Sequence, residues 1–272
     1  MAHPPPLPAA ACPAAAGLLL LLLLLLLSPL AAAGRAATDP AATDSAAPDP
    51  CPPLLASRPL PAAPAAAPAP QPAAPEQPIE PAAGDYRHRL NPSPHGWVHR
   101  SHWCIWLQPA AGEGASAPWD ERWHQAVRAA LAQWQELLPI TLVTAPERAQ
   151  VHLYRRRPPL RSTAGGMRAS HGRAELSLRQ VQRPREEKLH WQPEPLVEVM
   201  ISPGQHQRAI QATALHELGH AFGLWGHSDQ AGDAMAAVPG AMPVLTLSPR
   251  DRATLRWLRD QPSLFKLEAA SP

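Results

Sequence analysis

All nine tryptophans of the chain lie between Trp97 and Trp257, and this uneven distribution limits where a packed core can form. The preceding third of the sequence is dominated by Ala and Pro, which offer little apolar area to bury. A core large enough for a stable domain needs bulkier side chains. We therefore expect the folded domain to occupy residues 85–272.

The first 33 residues have the pattern of a secretory signal peptide. Residues 18–27 are ten consecutive leucines, followed by Pro29 and by three alanines at 31–33. This arrangement predicts cleavage after residue 33. The segment before the leucines has no Lys or Arg, so an uncleaved membrane anchor over 14–33 is the alternative. In both cases we expect the remaining chain to be exported: secreted, periplasmic or part of the cell envelope.

Residues 34–84 form a Pro/Ala-rich stretch of low complexity. Pro lacks a backbone donor and Ala buries little area, so we expect a disordered, extended linker here. Cys51 lies in this linker and Cys104 in the domain. The two could pair in an oxidising compartment, but a linker gives Cys51 no reason to occupy a fixed position. We therefore expect no disulfide scaffold.

The domain sequence alternates between helix and strand patterns. The stretch 119–138 has apolar residues at helical spacing, and the four stretches 140–145, 149–155, 173–179 and 196–202 read as strands after an earlier one at 102–108. A second helix is expected from Gln207, and a last one from Ser248 as N-cap with Pro249 at its first position. This order predicts an α+β domain with a mixed sheet.

The second helix carries the motif "HELGH" from His216 to His220. Two histidines four residues apart project from the same face of a helix, so both imidazoles can bind one metal ion. Glu217 lies beside that face, where a carboxylate can take a proton from a water molecule activated by the metal. The motif therefore predicts a zinc site with its own general base.

A catalytic zinc site needs a third protein ligand. Thermolysin-type enzymes use a glutamate from a later helix, but the only glutamate after Glu217 is Glu268, near the end of the chain. Gly223 is expected to end the helix, which leaves ligands in the following loop. The candidates there are His227, Asp229 and Asp233.

"HELGHAFGLWGHS" followed by Met235 in "GDAM" resembles the metzincin clan of zinc peptidases, and in particular its bacterial matrixin-like members. Their pattern is H-E-x-x-H-x-x-G-x-x-H with a downstream Met-turn. The resemblance implies that Zn²⁺ binds to His216, His220 and His227, and that Glu217 is the general base. It also implies that Met235 packs beneath the site, with Met242 as the alternative methionine.

The sequence departs from this pattern after Gly223, because three residues precede His227 where the pattern has two. We expect Gly226 to absorb the extra residue as a wider turn. Asp229 is the alternative ligand if the turn displaces His227.

The resemblance also implies a fold and an activity. In the metzincin fold an edge strand above the cleft pairs with the extended substrate, and 173–179 is our candidate for that strand. The implied function is a zinc endopeptidase whose partners are peptides or proteins. The formal net charge of +2, without long runs of like charge, argues against nucleic acid as a partner, and membrane contact is expected only if the leucine segment stays uncleaved. The alternative is a catalytically inactive zinc-binding module of the envelope or of adhesion.

Overall fold

The computed structural model describes residues 49–63, 84–112, 114, 116–163, 166–168, 170–185, 188–238 and 240–266. Its strands are β1 (Ala56–Pro59), β2 (Trp103–Leu107), β3 (Ile140–Val143), β4 (Val151–Tyr154), β5 (Arg161–Thr163), β6 (Gly166–Arg168), β7 (Gly172–Arg185) and β8 (Lys188–Ile201). Its α-helices are α1 (Ala117–Gln135), α2 (Gln207–Ala221) and α3 (Pro249–Asp260). The predicted α+β class with a mixed sheet is confirmed.

Six strands form one sheet in the order β1-β7-β8-β4-β2-β3, and β5 pairs with β6 as a separate hairpin. Strands β3, β2, β4 and β8 run parallel to one another. Strand β7 is antiparallel to β8, and β1 is antiparallel to β7. The antiparallel strand β7 lies beside α2, which carries the HELGH motif.

The core lies between the sheet and the helices. Trp123 and Trp134 of α1 are fully buried, and each indole N–H finds a backbone acceptor: Ile201 at the end of β8 and Leu215 in α2, both at 3.2 Å. A buried indole that keeps its hydrogen bond contributes apolar area without leaving a polar group unpaired. These two bonds fix α1 against the strand and the helix that position the site.

Strands β7 and β8 are both longer than the predicted stretches 173–179 and 196–202, although β7 contains Pro184 and β8 contains Pro193 and Pro195. Pro193 and Pro195 occupy positions of β8 whose backbone points away from β7, and β4 pairs with β8 only from Val197 onward. A proline there removes no ladder hydrogen bond. The hairpin therefore extends past its prolines.

The prediction of a linker over 34–84 is wrong for residues 49–63. Cys51 forms a disulfide with Cys104, and β1 pairs with residues 179–182 of β7. The guanidinium group of Arg183 is buried, pairs with Glu194 of β8 and donates to the carbonyl of Pro52. A covalent bond, a strand pairing and a buried ion pair therefore hold this segment against the sheet, and the composition of the segment indicates none of them.

The other amino-terminal predictions, the signal peptide over 1–33 and the rest of the linker, fall on residues 1–48 and 64–83, outside those described. Among the described helices, none is both long enough and apolar enough to cross a membrane.

Candidate metal centre

Helix α2 brings His216 and His220 to the same side, one turn apart. The helix starts after His206, whose ring nitrogen Nδ1 accepts from the N–H of Ala209, and it ends at Ala221, with Gly223 in the turn that follows. Gly223 has φ +108°, and a Cβ atom there would lie 2.1 Å from the carbonyl oxygen of Val98. Both the left-handed backbone and the close contact require glycine. The chain therefore turns sharply after His220, as the sequence predicted.

This turn brings His227 close to His216 and His220 of the helix. His216, His220 and His227 each offer a ring nitrogen within 4.8 Å of the others. The ring of His227 stacks on that of His216 at 5.2 Å and meets that of His220 edge-on at 4.9 Å. Three imidazoles at this separation can contact a single ion.

The hydrogen bonds of the two helical histidines determine which nitrogen is free. Nδ1 of His216 lies 2.8 Å from the carbonyl oxygen of Ala234, and Nδ1 of His220 lies 2.8 Å from that of Leu224. A carbonyl oxygen only accepts, so Nδ1 carries the proton in both rings when they are neutral. The lone pair of Nε2 is then available to a metal, which is the usual arrangement around metal-binding histidines.

Burial keeps these rings neutral in the absence of a metal. It lowers the pKa of His220 to about 3, aided by the neighbouring histidines, and it also lowers the pKa of His216 and of the half-exposed His227. Only a neutral imidazole binds a metal ion. The three side chains therefore fit a metal in both position and protonation.

The two carboxylates considered as alternative ligands face elsewhere. Asp229 is exposed and bonds to the guanidinium group of Arg250 on α3 at 2.9 Å. The same guanidinium group contacts Asp233 at 2.8 Å, and Asp233 also accepts from the hydroxyl of Ser228. Among the described residues the structure groups His227, and neither aspartate, with the helical histidines.

The extra residue after Gly223 is accommodated by two consecutive three-residue turns. Trp225 N–H donates to the carbonyl of Gly223 at 2.8 Å, and Gly226 N–H donates to that of Leu224 at 3.0 Å. Gly226 serves a different purpose from the one predicted. A Cβ atom there would lie 2.1 Å from the carbonyl oxygen of Arg89, so its missing side chain lets the segment before β2 pack on the loop.

Met235 lies directly under α2. It is fully buried, and a Cβ atom on Gly219 would be 2.2 Å from its Sδ atom, so the thioether touches the helix between the two histidines. Met242 is 69% exposed and does not occupy this position.

Asp251 of α3 holds this region in place, a role that the sequence did not indicate. Its buried carboxylate accepts from Ala234 N–H and from the hydroxyl of Tyr86, both at 2.8 Å. Since the carbonyl of Ala234 binds the ring of His216, Asp251 orients that histidine through the backbone of a single residue. An aspartate at the third position of a helix reads only as part of a capping box, which it also forms with Ser248.

Glu217 lies at the junction of α2 and β7. The residue is 9% exposed, and its carboxylate accepts a hydrogen bond from the backbone N–H of Ala174. A Cβ atom on Gly172 would be 2.6 Å from one of its carboxylate oxygens, so the glycine makes room for the side chain. Burial raises the pKa of Glu217 to about 7, while the Ala174 hydrogen bond and the charges of Arg173 and Arg161 oppose the shift. A carboxylate with a pKa near neutrality can both accept and release a proton.

Two openings flank Glu217 and His216. One is a cavity of about 700 Å³ whose wall includes Gly172, Thr213 and the alanines at 209, 212, 236 and 237. The other runs over His220 and His227 and is bordered by Arg161 and Arg173. The histidines and Glu217 therefore lie in a continuous cleft beside the start of β7.

A second cluster of potential metal ligands contains Cys51, His102 and Cys104. The two sulfurs are joined as a disulfide, so they offer no thiolate to a metal. The donor set that fits zinc among the described residues is thus the histidine cluster. No protein-family model matches the chain, and no curated protein matches it either.

Proposed function

We propose that the chain is an exported zinc-dependent endopeptidase of the metzincin type, resembling bacterial matrixins. One observation carries the proposal: three neutral imidazoles converge with the buried carboxylate of Glu217 in one cleft. His216, His220 and His227 would hold Zn²⁺. A purely structural site would have no use for a carboxylate beside two ligands on the same helix, whereas peptide hydrolysis requires a base there.

Zinc, when bound, supplies a Lewis acid that polarises the scissile carbonyl and lowers the pKa of water. The chain supplies the proton transfers. Glu217 accepts a proton from the attacking water and delivers it to the nitrogen of the leaving amine. Ala174 N–H and the wall at Gly172 hold the carboxylate in place for both transfers. No covalent intermediate with the protein is expected.

The surroundings of Glu217 suit an extended peptide. The backbone of β7 borders the cleft on one side, and the 700 Å³ cavity opens where the side chain that follows the scissile bond would point. The sheet order, with one antiparallel strand beside the motif helix, and the methionine under the histidines support the metzincin likeness. The disulfide supports export, because such bonds persist in oxidising compartments.

Metal content and peptide cleavage, measured on the same preparations, test the proposal. The chain would be produced through its own leader, purified without chelator and presented with a mixed peptide library. We expect one zinc per chain and cleavage by the wild type. Glu217→Gln should keep the zinc and lose cleavage, and His227→Ala should lose much of both.

Asp229→Asn is the matched control, because it removes the alternative ligand and leaves the three histidines intact. It should keep both zinc and activity. A wild type that holds zinc and cleaves no peptide would contradict the enzyme and favour the inactive module. Loss of zinc in Asp229→Asn but not in His227→Ala would contradict the ligand set.

A further inference from the structure

The edge of the sheet beside Glu217 is only partly covered by β1. The pairing of β1 with β7 ends where Leu60 N–H donates to the carbonyl of Leu178 at 3.4 Å. Pro61 comes next and has no N–H to continue the ladder. Residues 61–63, the last described before the next break, form no backbone hydrogen bond with β7. The edge from Gly172 to Ser177 is therefore not paired with any described strand.

The backbone groups along this edge point in a known direction. N–H and C=O groups of a strand alternate between its two sides, so residues two apart point the same way. Ser202 N–H donates to the carbonyl of His171, which places odd-numbered residues of this stretch toward β8. Leu178 points toward β1. Leu176 consequently directs its N–H and C=O groups into the same lane that β1 occupies farther along. Ala174 directs its C=O group there, while its N–H bonds to Glu217.

This lane leads to Glu217. A peptide that continues the lane runs in the direction of β1, from Leu178 toward Gly172, antiparallel to β7. Its amino-terminal part then lies next to Leu60, and its reacting carbonyl reaches Glu217 beside Ala174. The residue after that carbonyl enters the 700 Å³ cavity, whose wall includes Gly172.

We propose that β1 acts as a fixed stop: it occupies the edge of β7 beyond Ser177 and so limits the number of substrate residues that can bind on the amino-terminal side of the scissile bond. This inference rests on the proposed function. Among the described residues, the backbone positions open to the substrate are those opposite the four residues Ala174, Glu175, Leu176 and Ser177, and the next position is filled by Leu60.

The stop cannot be displaced easily by a competing peptide. Residues 49–63, which we call the arm, carry β1. The arm is anchored at Cys51 by the disulfide and at Pro52 by Arg183. Within β1, Nε of Arg58 donates to the side chain of Gln180 at 2.7 Å, and its guanidinium group lies 4.1 Å from the ring of Trp191. A covalent tether and these contacts favour β1 over any free strand of equal length.

A peptide length series tests the stop. The peptides share one sequence after the scissile bond and carry two to eight residues before it. We expect kcat/KM to rise about fivefold for each backbone hydrogen bond that the peptide gains with Leu176, the residue of this stretch that faces the lane, and to stay constant beyond the fourth residue. A rise that continues through the sixth and eighth residues would overturn the proposal.

A pair of variants separates β1 from other causes of a plateau. Arg58→Pro/Leu60→Pro removes two N–H groups that face β7 and leaves the disulfide intact. Ser57→Pro is the control, because its N–H points away from β7. The plateau should move beyond the fourth residue in the double variant and stay in the control.

Hydrogen exchange gives a readout that does not depend on activity. The amide of Gln180, which pairs with Arg58 of β1, should be protected in the wild type without peptide. In the double variant it should exchange freely until a long peptide is added. A double variant that frees this amide but keeps the plateau at four residues would contradict a role for β1.

Binding separates failure of the stop from failure of the proposed hydrolysis. Fluorescently labelled peptides of the same series are titrated into zinc-loaded Glu217→Gln, and anisotropy gives the affinity. If the wild type cleaves nothing, the proposed activity fails, but an affinity that stops rising at four residues still supports the stop. Affinity that rises to eight residues, or no binding at any length, would overturn it.

Discussion

Gly219 is the position where a single methyl group should disturb the proposed metal centre without touching a proposed ligand. In Gly219→Ala the new Cβ atom would lie 2.2 Å from Sδ of Met235 and 3.1 Å from the ring of Trp134. Both side chains are fully buried, so neither can move into solvent. The substitution therefore forces a rearrangement between α1, α2 and the loop that carries Met235.

The size of the effect follows from two opposing contributions. Overpacking a well-filled core costs up to about 3 kcal/mol. Replacing glycine by alanine inside a helix returns about 1 kcal/mol. We expect the free energy of unfolding to fall by about 2 kcal/mol, which for a domain of this size lowers Tm by roughly 6 °C. A displaced Met235 also shifts Ala234, whose carbonyl orients His216, so zinc affinity should fall about tenfold.

Urea unfolding of the zinc-free protein and zinc competition against a chromophoric chelator measure the two effects. Gly219→Ala/Met235→Ala is the informative partner, because the shortened side chain makes room for the new methyl group. The double variant should lose less stability than the sum of the two single variants. If Gly219→Ala alone stabilises the protein by about 1 kcal/mol, it behaves as an unconstrained helix glycine and the packing argument is wrong.

Three further predictions follow from contacts near the site and the arm. Gly172→Ala pushes a Cβ atom against the carboxylate of the proposed base and should lower kcat about 100-fold with zinc retained. Gly204→Ala is the control and should change neither kcat nor zinc content, because its Cβ atom would meet only the hydroxyl of Ser202, at an ordinary contact distance of 3.8 Å. Burial lowers the pKa of His99 in the folded protein. Below about pH 6.5 this histidine therefore binds a proton in the unfolded chain while it stays neutral in the folded one, which favours unfolding. Tm should fall as the pH drops from 7.5 to 5.5, and less steeply in His99→Gln. Replacing Cys51 and Cys104 by Ser removes a cross-link over a sequence separation of 53 and should cost about 4 kcal/mol in urea unfolding, whereas a loss under 1 kcal/mol would show that the arm is not held by it.

The helix of the candidate site could be predicted from the sequence because its signals are local. The spacing of His216 and His220 depends only on the helical period, and Gly223 depends only on the conformation that ends a helix. Both signals are complete within a few residues. The loop to His227 is also local, and its two consecutive turns absorb the extra residue without moving the histidine away.

The positions of the arm and of the β7–β8 hairpin could not be predicted, because the residues that hold these segments in place are remote from them in the sequence. Cys51 is held by Cys104 and by pairing of β1 with β7, and nothing near Cys51 indicates either contact. Pro193 and Pro195 look like strand breaks until the register shows that their backbones face away from β7. Asp251 likewise reads as an ordinary helix cap, although its carboxylate also binds Ala234 and Tyr86.

The most direct measurement of the central claim is a zinc titration of chelator-treated protein, with hydrolysis of a fluorogenic peptide followed at each step. Three histidines that hold one ion beside Glu217 predict an activity that is absent without metal, rises linearly with added zinc and reaches its plateau at one zinc per chain. The same titration of Glu217→Gln should show uptake of one zinc and no hydrolysis. Activity that survives removal of the metal, or zinc uptake that persists in His216→Ala/His220→Ala, would contradict the account.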